Sequence, residues 1–107
     1  MIVMDAPRTD TFRGKQITTA HLVSTLLGAE GTAELVAFAE SIGMRRAWIQ
    51  HEGEPREHFD LMGSRCERAI KAGATVDRNL LASTIGAKRA DAPVAGDGSI
   101  AIRRRKA

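Results

Sequence analysis

The stretch HEGEPREHFD, residues 51–60, gathers two histidines, four carboxylates and an arginine into ten residues. Histidine and carboxylate side chains are the ligands that zinc, manganese and iron take, and the same groups exchange protons near neutral pH. His58 and Asp60 stand two residues apart, so in an extended segment their side chains point the same way. His21 is a candidate third ligand from a neighbouring strand. No HExxH, DxDxDG or HxH pattern accompanies them. Asp60 also has a plainer role, as the N-cap of a helix, and Glu52, Glu54 and Glu57 read as a solvated loop. His58 is the residue that capping leaves unexplained.

The same neighbourhood suits an anion. A helix opening at residue 60 would present free N–H groups and the positive end of its dipole. Arg45, Arg46, Arg56 and Arg65 are near in sequence, and His58 could donate a proton. Asp60 at the cap would compete for those donors, and neither GxGxxG nor GxxxxGK is present. Nucleophilic catalysis has less support. Cys66 falls on an apolar stripe, which makes it a small core residue, and there is no GxSxG. His21 within a strand reads first as a hydrogen-bonded core histidine rather than a catalyst, and Trp48 as core or pocket wall.

The elements that must position these groups alternate. MIVM, residues 1–4, is a short buried strand stopped by Asp5, Ala6 and Pro7. Residues 8–16 read as a polar loop around Gly14. Residues 17–24, ITTAHLVS, are rich in β-branched side chains, and a strand is preferred there over a helix. Leu35, Phe38, Ala39 and Ile42 form one helical stripe over residues 32–43, with Thr32 as N-cap and Gly43 as the left-handed residue at the end. RAWIQ, residues 46–50, reads as the next strand. Residues 60–73 read as a second helix with Met62, Cys66, Ala69 and Ile70 inward and Gly73 at its end. ATV, residues 74–76, restarts a strand, and residues 78–85 form a short helix stopped by Gly86. Strands alternating with helices predict an α/β fold: a two- or three-layer sheet of about four strands, parallel or mixed, with two main helices and a short third. In such a sheet ligands bind beyond the carboxyl ends of the strands. That edge would carry Gln50, His51, His58, Asp60 and Asp77, and Asp5 too if the first strand is parallel to its neighbour.

Charge separates body from tail. The net charge is +3. Residues 87–107 hold six bases and two acids, whereas residues 1–86 hold ten bases and eleven acids. The expected organisation is therefore one α/β domain over residues 1–86, then a flexible linker and a basic tail over 87–107. Within the tail, residues 99–107 read as a short edge strand or a disordered segment. Arg103, Arg104, Arg105 and Lys106 could meet nucleic-acid phosphates or an acidic protein in a salt-sensitive way. Aromatic residues make up only 4% of the chain, which weakens a single-strand reading built on stacking platforms. A single cysteine excludes an internal disulfide or a cysteine-built zinc site. No apolar run approaches the ~20 residues of a membrane span, and no secretory leader is recognised, so a cytoplasmic location is expected.

His21-Leu22-Val23, Glu34-Leu35 through Ala39, Ile42-Gly43, Trp48, His58-Phe59-Asp60, Arg65, Ala69 and Gly73-Ala74 form a pattern. It resembles that of a family of short bacterial and bacteriophage proteins known only as a domain of unknown function. The likeness covers roughly residues 1–78. It implies a small α/β domain and no particular activity or cofactor. It selects Asp5, His21, Trp48, His58, Asp60 and Arg65, and it leaves aside acids 52, 54 and 57. Two departures matter. Asp5-Ala6 stands where the family often has two acids, and Phe59 stands where the family has tyrosine, which removes a phenolic hydroxyl.

Three functions follow as expectations. The first is an accessory protein whose pocket of His21, Trp48, His58, Asp60, Arg65 and Asp5 binds a nucleotide or another phosphate-bearing anion. The second is a metal-dependent phosphoester hydrolase with His21, His58 and Asp60 as ligands. The third is a non-catalytic protein that engages nucleic acid or an acidic partner through its tail.

Overall fold

The computed structural model describes residues 1–92. The basic tail, with Arg103, Arg104, Arg105 and Lys106, lies outside the described residues. The first strand, β1 (Ile2–Met4), is buried along its whole length, as its uninterrupted apolar run requires. Residues expected to be a loop instead form β2 (Arg8–Phe12), which turns back at Arg13-Gly14 into the ten-residue β3 (Lys15–Ser24). Both turn residues have positive φ, 52° and 77°, which is the geometry of the tight two-residue hairpin loop.

The first helix, α1 (Gly28–Ser41), starts a turn earlier than its stripe suggested. Thr32 is therefore not the N-cap. It lies inside the helix, and its hydroxyl donates to Glu57 Oε2 at 2.6 Å. The helix ends as expected, with Gly43 left-handed at φ 87°. RAWIQ does not form a strand. Arg46–Trp48 make a single 3₁₀ turn, and Gln50 then forms an isolated antiparallel bridge with His58.

The segment expected to open the second helix is strand β4 (Phe59–Met62), with Phe59 and Leu61 buried and Asp60 and Met62 exposed. Gly63, at φ 60°, turns the chain into α2 (Ser64–Lys71). Asp60 is thus a strand residue and caps nothing. β5 (Thr75–Val76) and α3 (Arg78–Asp91) follow, and Asp77 caps α3 by accepting from the Leu80 N–H at 3.0 Å. The last helix does not stop at Gly86 but runs on to Asp91, with Thr84 and Lys88 buried.

The result is an α/β fold with a mixed five-stranded sheet in the order β2-β3-β1-β5, and β4 on the free edge of β3. Only β1 and β5 are parallel; β1, β2 and β4 all run antiparallel to β3. One sheet face carries Ile2, Met4, Ala20, Leu22, Phe59 and Leu61, packed with Leu35, Ala39 and Ile42 of α1 and Cys66 and Ala69 of α2. Each large side chain sealed there contributes about 1.5–3 kcal/mol. Among the described residues no helix is long and apolar enough to cross a membrane.

Candidate metal centre

Strand alternation decides which side chains leave the core. In β3, Ala20 and Leu22 point inward, so His21 points to the opposite face. In β4, Phe59 and Leu61 point inward, so Asp60 points the same way as His21, and the two are direct partners in the β3–β4 register. His58, one step before β4, shares the parity of Asp60. The antiparallel pairing therefore brings residues 21, 58 and 60 to one place on the sheet face opposite Ala20, Leu22, Phe59 and Leu61.

Their ligand atoms converge. His58 Nε2 lies 3.2 Å from Asp60 Oδ1, and His21 Nε2 lies 3.9 Å from the same oxygen. The two rings meet edge to face with centroids 5.4 Å apart. One ligand atom from each of the three residues falls within 4.8 Å of the others. Donor atoms around one zinc ion at ~2.1 Å stand roughly 3–3.5 Å apart, so only a small contraction separates this cluster from a coordination sphere.

The outer nitrogens are already engaged. His21 Nδ1 faces Asp5 Oδ2 at 2.9 Å, while Asp5 Oδ1 accepts the backbone N–H of His21 at 2.6 Å. His58 Nδ1 faces the carbonyl oxygen of Arg56 at 2.6 Å. Both acceptors require a hydrogen on Nδ1, and in a neutral ring that leaves the lone pair on Nε2, the atom aimed at Asp60. Carboxylate and carbonyl partners of this kind orient metal-binding histidines. Asp60 is oriented as well: Gln50 Nε2 donates to Oδ2 and leaves Oδ1 facing the histidines.

Asp5 reaches the cluster although β1 is antiparallel to β3. β1 pairs with the C-terminal end of the long β3, Met4 beside Leu22, so Asp5 comes next to His21 within the sheet rather than at its far edge. Asp77, expected on the same edge, is occupied with capping α3. Trp48 and Arg65 form a separate pair, with the guanidinium 5.1 Å above the indole ring. Among the described residues neither makes a hydrogen bond or ion pair with the histidine cluster. Arg65 Nε is buried without a hydrogen-bond partner.

A cavity of about 770 Å³ lies between α1, the 52–57 loop and the end of α3. None of the six candidate residues lines it. The cluster is a shallow open face, with His21 and Asp60 exposed and His58 half-buried.

Three further residues, of which Gln50 and His51 were expected on the ligand edge but not in the pocket, support the cluster or its loop. Gln50 holds Asp60. His51, left-handed at φ 55°, places its ring 5.8 Å from that of His58, so all three histidines of the chain meet here. Glu57, expected in a solvated loop, is only 3% exposed and accepts from Thr32 Oγ1 and from the Gly53 N–H at 2.9 Å. The available signal was the symmetry of the 50–58 segment, with Gly53 and Pro55 between two polar ends. Cys66 is buried as expected, and burial pushes its thiol above the ordinary range, so it offers no ready thiolate.

Residues 2–89 match the model of a family described as a protein of unknown function (DUF4031). No curated protein and no solved structure matches the chain.

Proposed function

The chain belongs to this DUF4031 family, and we propose that His21, His58 and Asp60 hold a divalent ion, zinc or manganese, that activates water to hydrolyse a phosphate ester. The observation that carries the reading is the convergence of two Nε2 atoms and one Oδ1 atom on an open face, each with its outer atom engaged by Asp5, Arg56 or Gln50. Three protein ligands are the number found in catalytic zinc sites, where the remaining position holds water or substrate. Two imidazoles and a carboxylate suit zinc, manganese or iron over calcium or magnesium. An ion at this face would lower the pKa of its water and polarise a phosphoryl oxygen, two contributions that need no further protein nucleophile.

The test begins with the full chain purified without a tag, dialysed against zinc or manganese and analysed for bound metal. One ion per chain is expected in the wild type, and far less in His58→Ala and in Asp60→Ala. Loaded protein should then cleave bis(p-nitrophenyl) phosphate at a rate that the same substitutions abolish. Wild-type protein that takes up neither ion would refute the proposal.

A further inference from the structure

Beyond the candidate metal centre, the face that carries His21 runs on into the β2–β3 hairpin. Thr19, Ile17 and Lys15 have the same parity in β3 as His21, and their register partners in β2 are Arg8, Asp10 and Phe12. A single ribbon of side chains therefore leads from the metal-binding residues to the hairpin tip, on the order of 20 Å away at ~3.4 Å per residue.

The composition of that ribbon is unlike the rest of the body. Every residue of β2 is exposed, and among the described residues β2 pairs only with β3. A two-stranded ribbon without a buried face gains little stability of its own. At its tip Phe12 is 58% exposed, and the Arg13 guanidinium lies 5.3 Å from the ring centroid. Arg13 holds φ 52°, a left-handed position where asparagine or glycine is the ordinary choice in this turn. The turn therefore carries a long cation where a small residue is usual. Lys15 beside it makes no ion pair among the described residues. Arg8 is partly neutralised by Asp10 at 3.3 Å. The tip thus presents two unpaired cations and one aromatic ring, on a body whose first 86 residues hold more acids than bases.

We propose that the β2–β3 hairpin is an arm that lays a nucleic-acid strand along the His21 face, with Arg13 and Lys15 on phosphates and Phe12 against a base. The inference rests on the hydrolytic reading and narrows it: the phosphate ester would be a phosphodiester of single-stranded nucleic acid. Cations spaced along a ribbon with one stacking ring recognise a repeating anionic chain with flat bases. A free phosphate monoester would use neither the length of the arm nor its ring.

The experiment is fluorescence anisotropy with fluorescein-labelled single-stranded 12-mers of DNA and RNA, using the full chain. Arg13→Asn removes the cation and suits the turn, so its effect cannot come from a misfolded hairpin. The triple variant Phe12→Ala/Arg13→Asn/Lys15→Gln should bind at least about tenfold more weakly than wild type. Its affinity should also vary less steeply with salt, the slope falling by about 1.4 for two lost phosphate contacts. Loss of binding in the arm variants together with a metal-free wild type would leave the arm standing and remove the hydrolytic reading. Equal affinity of wild type and triple variant would overturn the arm. So would a wild type that ignores both 12-mers but gains mass with concentration, since the free edge of β2 would then belong to a second copy of the chain.

Discussion

His21 and Asp60 are cross-strand partners whose facing atoms, Nε2 and Oδ1, lie 3.9 Å apart on the side of the sheet opposite Ala20, Leu22, Phe59 and Leu61. The same pairing buries Ala20, Leu22, Phe59 and Leu61 on the other side. A one-residue slip would exchange the two sets, so the register that builds the core also assembles the cluster.

Asp5 should matter to metal binding without touching the ion. It holds His21 through both ring and backbone. Asp5→Ala frees the ring and is expected to weaken metal affinity roughly 10- to 100-fold, the usual effect of removing such an orienting group. Asp5→Asn keeps one acceptor and should fall between the two. Competition titration against a zinc-sensing dye measures both.

Metal held by His21, His58 and Asp60 would also stabilise the fold, since the strand pairing that brings them together exists only in the folded chain. At a free ion concentration about 100 times the dissociation constant, the gain is about 2.7 kcal/mol. For a domain of this size that is a rise in melting temperature of roughly 10 °C or more. Differential scanning fluorimetry should show the rise in wild type, its reversal by a chelator, and little change in His58→Ala.

How far these groups were legible beforehand depends on the element that carries each. Leu35, Ala39 and Ile42 repeat with helical spacing, and Gly43 and Gly73 end their helices left-handed, so α1 and α2 were readable in type and at their C-terminal ends. The four residues of β4 were not. Phe59 and Leu61 alternate with Asp60 and Met62, but four residues fit a period of two and the first turn of a helix equally well, and Asp60 is a good cap. Gly63, which makes the real turn, was absorbed into the helix. The hairpin escaped for a different reason: Arg13-Gly14 lacks the Asn-Gly or Asp-Gly that usually announces such a loop. His21, His58 and Asp60 could be named from residue type alone. Their meeting depended on the antiparallel β3–β4 register, which a reading of β4 as helix hides.

Glu57 ties the 52–57 loop to α1. Glu57→Ala would take the acceptor from the half-buried Thr32 hydroxyl, at about 1–3 kcal/mol, and from the Gly53 N–H, which is exposed and can turn to water. It would also remove a carboxylate that supports Lys88, whose ammonium burial holds below its usual range. Urea denaturation should show a loss of about 2–4 kcal/mol.

Two glycines in helices should respond to alanine with opposite signs. Gly31 lies in α1, and a Cβ there would stand 2.1 Å from the Leu26 carbonyl oxygen, a backbone atom that cannot step aside alone. Gly31→Ala should cost about 1–3 kcal/mol in spite of the better helix propensity of alanine. Gly86 lies in α3 with nothing within 4 Å of the same position, so Gly86→Ala should gain about 0.5–1 kcal/mol. Measured under one set of conditions, the pair separates packing from propensity.

Glu34 links stability to acid pH. Partial burial raises its carboxyl, but the Ser24 hydroxyl at 2.5 Å and the Met1 amino group at 2.9 Å outweigh that and hold it below the ordinary value. A carboxylate whose folded pKa is depressed binds fewer protons in the folded state than in the unfolded one. Its contribution is therefore complete above the unfolded value of about 4.3 and is lost as pH falls through the lower folded value. Glu34→Gln should lower stability at pH 7 and flatten its decline below about pH 4.3, because that residue then has no proton to take up. Urea midpoints for wild type and variant at pH 7 and across the acid range should converge as pH falls. A constant gap between the two curves would mean that Glu34 acts through packing rather than charge.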